Sequence, residues 1–174
     1  MALVVFMRGV NVGGSRVFRP AVLAKQLAAL DVVNVGAAGT YVVRKPIAQT
    51  KLRAELLKRL PFEAVVIICR GSEVIGLVRE QPFPDGPAYQ GLRRFVAVMA
   101  RRPRTLPRLP VSEPPGDNWE SKVIGVSGRF ALSVWRKLGR SFVDPNGVVE
   151  KHFGVSATTR NWNTIGKICD ILER

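Results

Sequence analysis

Hydrophobic and polar positions along the first part of the chain predict a strand followed by a helix. The apolar run Leu3–Met7 is short, which is typical of a buried strand. Pro20 then stands where a helix begins, because proline fits the first helical turn. Leu23, Leu27 and Leu30 follow at helical spacing, so we expect them to form its buried face.

The same pattern continues with a strand pair, a helix and a fourth strand. We expect strands over 32–36, 40–44 and 64–69, and between the last two a helix that buries Leu52, Leu56 and Leu60. The order β-α-β-β-α-β predicts a ferredoxin-like lobe, an antiparallel sheet covered by two helices. The predicted fold class is therefore α+β.

Prolines and a glycine over 81–87 interrupt the pattern and predict a linker. We expect a ferredoxin-like lobe over 1–80, a linker over 81–91 and a second, smaller α+β lobe over 92–174. The second lobe has a predicted strand at 92–99, a hairpin of strands at 122–126 and 129–137, a helix from Asp144 to Gly154, and a C-terminal helix that buries Ile165, Ile168, Cys169 and Leu172. The stretch 101–118, rich in proline and arginine, is interpreted as an extended exposed connection.

The formal charge of the chain is +14 for 174 residues. One interpretation of this charge is an anionic partner, either nucleic acid or another polyanion, or a phosphorylated small molecule. The alternative is a basic surface without a dedicated partner. No apolar run approaches the roughly 20 residues of a membrane helix, so no membrane partner is expected.

Cys69 and Cys169 lie in separate apolar stretches, which predicts reduced thiols in the core and a cytoplasmic location. The start of the chain lacks a basic leader and is expected to be a strand, not a signal peptide. With one histidine and two isolated cysteines, neither a metal site nor a cofactor is predicted. His152 is that histidine, and no serine or cysteine can be paired with it, so we lean against an enzyme.

The first candidate site is the glycine-rich segment 8–14, between a predicted strand and a predicted helix. Backbone amides in such a turn can hold an anion. The candidate ligand-binding residues here are Arg8, Asn11, Gly13 and Gly14. The spacing matches neither a dinucleotide-binding motif nor a P-loop. The alternative is a turn that needs glycine and is satisfied by the asparagine.

The second candidate site is the polar segment 158–164 ahead of the last helix. As a site, Arg160 would grip a phosphate, Trp162 would stack on a base or sugar, and Asn161 and Asn163 would add directional hydrogen bonds. As a structural brace, which we favour, an asparagine caps the helix, the indole is buried and the arginine bonds to carbonyl groups.

Three segments resemble a bacterial family known as domain of unknown function 1697. Arg-Gly-Val-Asn-Val-Gly-Gly at 8–14 and the stretch 149–164 are similar to its opening and closing patterns, and Gln-Pro-Phe-Pro at 81–84 is similar to its Asn-Pro-Phe-Pro turn. Ala-Gly-Thr at 38–40 departs from the Ser-Gly-Asn of relatives, so a ligand contact made by that asparagine would be absent here. The resemblance implies an α+β fold and no reaction.

Three hypotheses about function follow. The leading one is a non-catalytic cytoplasmic protein that binds nucleic acid, either RNA or single strands. The second is an enzyme or sensor in which Arg8, the glycine turn and Arg160 hold a small phosphorylated or carboxylated metabolite between the lobes. The third is a homodimeric interaction module; the sequence leaves the oligomeric state open.

Overall fold

A computed structural model describes residues 1–10, 18–139 and 142–174. The chain divides into two compact units: unit 1 consists of Met1–Val78 and Gly166–Arg174, and unit 2 is Arg79–Ile165. The division differs from the predicted lobes in giving the chain end to unit 1, where Leu172 packs directly against Gly71. The predicted lobe boundaries therefore remain a prediction.

Unit 1 contains a four-stranded antiparallel sheet. Its strands are β1 (Leu3–Met7), β2 (Val32–Asn34), β3 (Thr40–Val43) and β4 (Val66–Arg70), in the order β2-β3-β1-β4. The four strands expected in this half of the chain are all present. They form because each is a short, largely apolar run that contains β-branched residues.

Helices α1 (Pro20–Gln26) and α2 (Gln49–Arg59) cover one face of this sheet. Helix α3 (Gly71–Arg79) follows β4 and ends at the boundary between the units. Leu23, Leu52 and Leu56 are buried against the sheet, as the leucine spacing predicted. Tyr41 of β3 lies in the same core, and burial raises the pKa of its phenol.

Unit 2 contains a five-stranded antiparallel sheet. Its strands are β5 (Arg93–Met99), β6 (Val111–Glu113), β7 (Ser121–Ser127), β8 (Phe130–Trp135) and β9 (Ala157–Asn161), in the order β6-β7-β8-β5-β9. The hairpin of β7 and β8 confirms the sequence prediction. Two strands were missed: β6 lies inside the stretch interpreted as a connection, and β9 lies inside the polar segment before the last helix.

One face of this sheet packs against helix α4 (Pro145–Phe153). Ala97 and Ala157 lie on that face. Both faces of β8 are buried: Leu132 is 4% exposed and Ser133, on the opposite face, is 3% exposed. Helix α5 (Trp162–Leu172) ends the chain, and it begins in unit 2 and ends in unit 1.

The predicted start and end of α4 are confirmed. Asp144 is the N-cap: its Oδ1 accepts from the backbone N–H of Asn146 at 3.0 Å and its Oδ2 from that of Gly147 at 3.2 Å. Gly154 is the C-cap, with a left-handed backbone. No helix in the described ranges is long and apolar enough to cross a membrane.

Asp144→Ala is expected to lower the free energy of unfolding by about 1 kcal/mol, because two amides at the start of α4 lose their acceptor. Asp144→Asn keeps a side-chain oxygen and is expected to stay close to the native value. Urea denaturation followed by circular dichroism measures both. An equal loss in the two variants would show that the cap is not the cause.

Candidate functional site

The polar segment 158–164 forms strand β9 and the first turn of α5, and its side chains separate accordingly. Successive residues of a strand point to opposite faces. Thr158 and Arg160 therefore share one face, and both are buried. Thr159 and Asn161 share the other face, on the side of α4. Alternate side chains of this segment therefore have different surroundings. The order of residues along the chain does not show this until the strand is recognised.

Arg160 is buried, and its guanidinium is hydrogen-bonded to its own strand. Its side chain is 7% exposed, and its Nη1 donates to Thr158 Oγ1 and to the Thr159 carbonyl, both at 2.9 Å. Burial lowers its pKa to about 10, because charge is less stable away from water. These contacts match the predicted bonding of this arginine to carbonyl groups.

Three hydrogen bonds fix the other face of β9. Thr159 Oγ1 donates to Asn146 Oδ1 at 2.8 Å, which ties β9 to α4. Asn161 Oδ1 accepts from the backbone N–H of Thr164 at 2.8 Å and from its hydroxyl at 2.9 Å. Asn161 thus caps α5, as one of the two asparagines was predicted to do.

Trp162, the first residue of α5, is half-buried and held by a second aromatic ring. The centroid of its ring lies 5.1 Å from that of Phe83, at an interplanar angle of 67°. The guanidinium of Arg94, a residue of β5, lies 5.7 Å from the centroid of the Phe83 ring. Edge-to-face packing of this kind restricts the indole to one orientation.

An open groove of about 540 Å³ runs past the start of β5 and the junction of β9 with α5. It is lined by Leu92, Arg93, Arg94, Phe95, Asn161, Trp162 and Asn163. Consecutive residues of β5 point to opposite faces, so the groove takes side chains from both faces at the end of the sheet. We call this cleft the Trp162 groove.

The strand pairing explains why these residues meet. Phe95 of β5 lies opposite Asn161 of β9 in the antiparallel register. The two arginines preceding Phe95 therefore lie beside the start of α5. Sequence reasoning missed Arg93 and Arg94, since β9 was not recognised as a strand. Their signal in the sequence is a pair of arginines at the open end of an otherwise apolar strand.

The candidates from the two predicted sites are only partly brought together. Asn161, Trp162 and Asn163 line the groove, and Arg160 is not among its lining residues. Arg8 belongs to unit 1, where its backbone N–H donates to the Val65 carbonyl at 2.9 Å. The other candidates of the glycine-rich segment, Asn11, Gly13 and Gly14, lie outside the described residues. The anion cradle and its convergence with Arg160 stay predictions.

His152, the single histidine of the chain, is not among the residues that line this groove. Its Nε2 is 3.7 Å from Glu113 Oε2, and the same carboxylate oxygen is 3.2 Å from Lys151 Nζ. Across the described part of the chain, no three His, Cys, Asp or Glu side chains are grouped so as to hold a metal ion. The groove itself brings together two guanidinium groups, two aromatic rings and two side-chain amides.

Comparisons with known proteins identify a family and a fold. A family model described as "Protein of unknown function (DUF1697)" matches residues 1–122. No curated protein matches the chain. Among solved structures, the chain is similar to a conserved bacterial protein from Streptococcus pneumoniae, with 15% identity, a TM-score of 0.56 and 98% of each chain covered. At this identity the likeness shows the fold alone.

Proposed function

Since the chain belongs to the DUF1697 family, whose description assigns no activity, we propose a function from the site: non-catalytic binding of single-stranded nucleic acid, RNA or DNA, in the Trp162 groove. The observation that carries the proposal is the lining of the groove, which combines two arginines with an indole and two asparagines. Single-strand binding sites combine cationic side chains along the backbone with aromatic rings on which bases stack.

The indole of Trp162 supplies the stacking surface. Phe83 packs edge-on against it and holds its orientation, so little conformational entropy is lost when a base stacks on the exposed part of the ring. Stacking on an aromatic ring tolerates every base, because all bases have a π face. We therefore expect weak sequence preference.

The arginines supply the contacts to phosphate. Arg93 is exposed. Arg94 Nη2 is 3.1 Å from Asp85 Oδ1, but that aspartate side chain is 95% exposed. Ion pairs with so exposed a partner contribute little, so exchange of Asp85 for a phosphate costs little. The formal charge of +14 adds long-range attraction for a polyanion.

The two asparagines of the groove have different roles. Asn161 uses its side-chain oxygen to cap α5, so that oxygen is committed to the fold. Asn163 is exposed in the first turn of the same helix and lines the groove. We assign to Asn163 the directional hydrogen bond to a base edge or sugar hydroxyl.

We also infer a ferredoxin-like arrangement for unit 1 and a cytoplasmic location for the protein. The strand order β2-β3-β1-β4 with every pair antiparallel supports the first inference, because the split βαβ motif has this order. The second is supported by Cys69 and Cys169, which are both buried thiols. Thiols of this kind are typical of reducing compartments.

The proposal predicts a specific salt dependence. Arg93→Ala is expected to weaken binding of single strands of any sequence and to reduce the slope of log K against log salt by about 1, because one phosphate contact is lost. Fluorescence anisotropy with labelled RNA and DNA strands of about ten nucleotides, within the site size of single-strand modules, measures it. Duplexes of the same length are expected to bind more weakly, since paired bases cannot stack on the indole.

Lys58→Ala is the charge-matched control, because Lys58 is exposed on α2 of unit 1. It is expected to leave the slope close to the native value. A wild-type protein that binds neither strand at low salt, or binds with no salt dependence, would overturn the proposal. In that case binding of a small phosphorylated metabolite would be tested next by thermal shift.

A further inference from the structure

Building on the proposed function, we propose that a second pocket of unit 2 holds a second base of the same strand. The Trp135 pocket, as we call it, is lined by Arg93, Phe95, Trp135, Phe142 and Pro145 and has a volume of about 140 Å³. The proposed ligand is therefore a single strand in which at least two bases are not stacked on each other.

The walls of the Trp135 pocket suit one flat ring. Trp135 and Phe142 provide aromatic surface, and Phe142 is 75% exposed, which is unusual for a large apolar side chain. The volume is well below the roughly 300–1,000 Å³ of sites for whole small ligands. A single planar group projecting from a longer molecule fits such a space better than a complete metabolite.

The pocket adjoins the Trp162 groove, because Arg93 and Phe95 line both. Arg93 lies opposite Trp135 in the pairing of β5 with β8, and its guanidinium carbon is 5.3 Å from the centroid of the indole. The guanidinium thus lies over the indole of Trp135, and Arg93 borders both cavities. A phosphate joining two nucleotides is the group that this position fits.

The register gives the spacing between the two positions. Trp135 is on β8 and Asn161 on β9, two strands apart, and their partners on β5 are two residues apart. With strands about 4.8 Å apart and residues about 3.4 Å apart, the backbones of Trp135 and Asn161 are about 12 Å apart. Stacked neighbours in a strand are only about 3.4 Å apart. Bases in the two positions are therefore separated from each other and stacked on protein.

Charge selects this occupant over an apolar peptide side chain. A peptide residue would fill the aromatic walls but would leave the exposed guanidinium of Arg93 without an anionic group. A nucleotide carries a flat ring and a phosphate at the required proximity. The net positive charge of the chain favours the same choice.

The test uses two variants of the Trp135 pocket in the full chain. Phe142→Ala removes an exposed ring, so the fold is expected to tolerate it, and Trp135→Leu keeps apolar volume without a π face. The probes are a labelled single strand of about ten nucleotides and a base-free strand of the same length. Each variant is expected to weaken binding of the first probe by about 5- to 150-fold and to leave the base-free strand unaffected.

Leu106→Ala is the matched control, since Leu106 is a 60% exposed apolar residue that lines neither cavity. If Trp162→Ala weakens binding of the first probe but both pocket variants bind it like wild type, the second base position is wrong and the groove proposal survives. Equal losses on both probes would also overturn the second position, because stacking would not be the cause. A wild-type chain that binds both probes equally would refute stacking in the groove itself.

Discussion

Trp162→Ala is expected to weaken binding of a single-stranded oligonucleotide by about 5- to 150-fold, the loss that corresponds to one base stacked on an aromatic ring. The expectation rests on the position of the indole, which lines the groove and is held against Phe83 at 5.1 Å. Binding of a base-free strand is expected to change little, because the backbone contacts remain. Fluorescence anisotropy at constant salt measures both affinities.

Two controls separate stacking from stability in this experiment. Trp162→Phe keeps a π face of smaller area and is expected to lose less affinity than the alanine variant. Because Trp162 also packs against Phe83, the thermal midpoint of each variant is measured, and binding is compared where all are folded. Equal affinity of wild type and Trp162→Ala for the oligonucleotide would contradict the role of the indole.

Gly39→Ala is expected to reduce the free energy of unfolding by about 2–4 kcal/mol, the largest effect on stability that we predict. Gly39 precedes β3 with φ +70°, a conformation unfavourable for residues with a side chain. A Cβ there would also lie 2.9 Å from the Cβ of Met7. Met7 Cβ is attached to the backbone of β1, and the backbone N–H of Met7 donates to the Gly39 carbonyl. Moving Met7 away from the added Cβ would therefore disturb this hydrogen bond.

Gly36→Ala is the matched control in the same turn region. Its φ is +81°, but nothing lies within 4 Å of an added Cβ. Only the backbone cost of about 1–2 kcal/mol is therefore expected. Denaturant unfolding of the two variants measures the difference. Equal destabilisation would show that contact with Met7 contributes nothing.

The sequence was informative where one local rule determines the structure. Asp144 and Gly154 marked both ends of α4 because capping depends on residues adjacent in the chain. The leucines of α2 were assigned to the core because helical spacing brings them to one face. Thr158 and its neighbours were different, because a strand of polar residues has no apolar alternation to reveal it.

The candidate site depended on pairing between distant segments, which is why it was only partly predicted. Trp162 and the asparagines were identified from their chemistry. Arg93 joins them only through the pairing of β5 with β9, and no local pattern indicates that pairing. Arg160 has the side chain of a phosphate-binding residue, yet it is buried and donates to Thr158 and Thr159, which its residue type does not reveal.

The most direct test of the central claim is to locate a bound strand by photo-crosslinking. The chain has three tryptophans, and trypsin separates them into peptides 109–122, 130–136 and 161–167. A single strand containing 5-iodouridine is expected to label the peptide that carries Trp162. Trp119 is the internal control, because cationic side chains already cover its ring. Lys122 Nζ lies 4.2 Å and Arg136 Cζ 4.0 Å from the ring centroid. Labelling confined to other peptides, or none at saturating strand, would contradict the account.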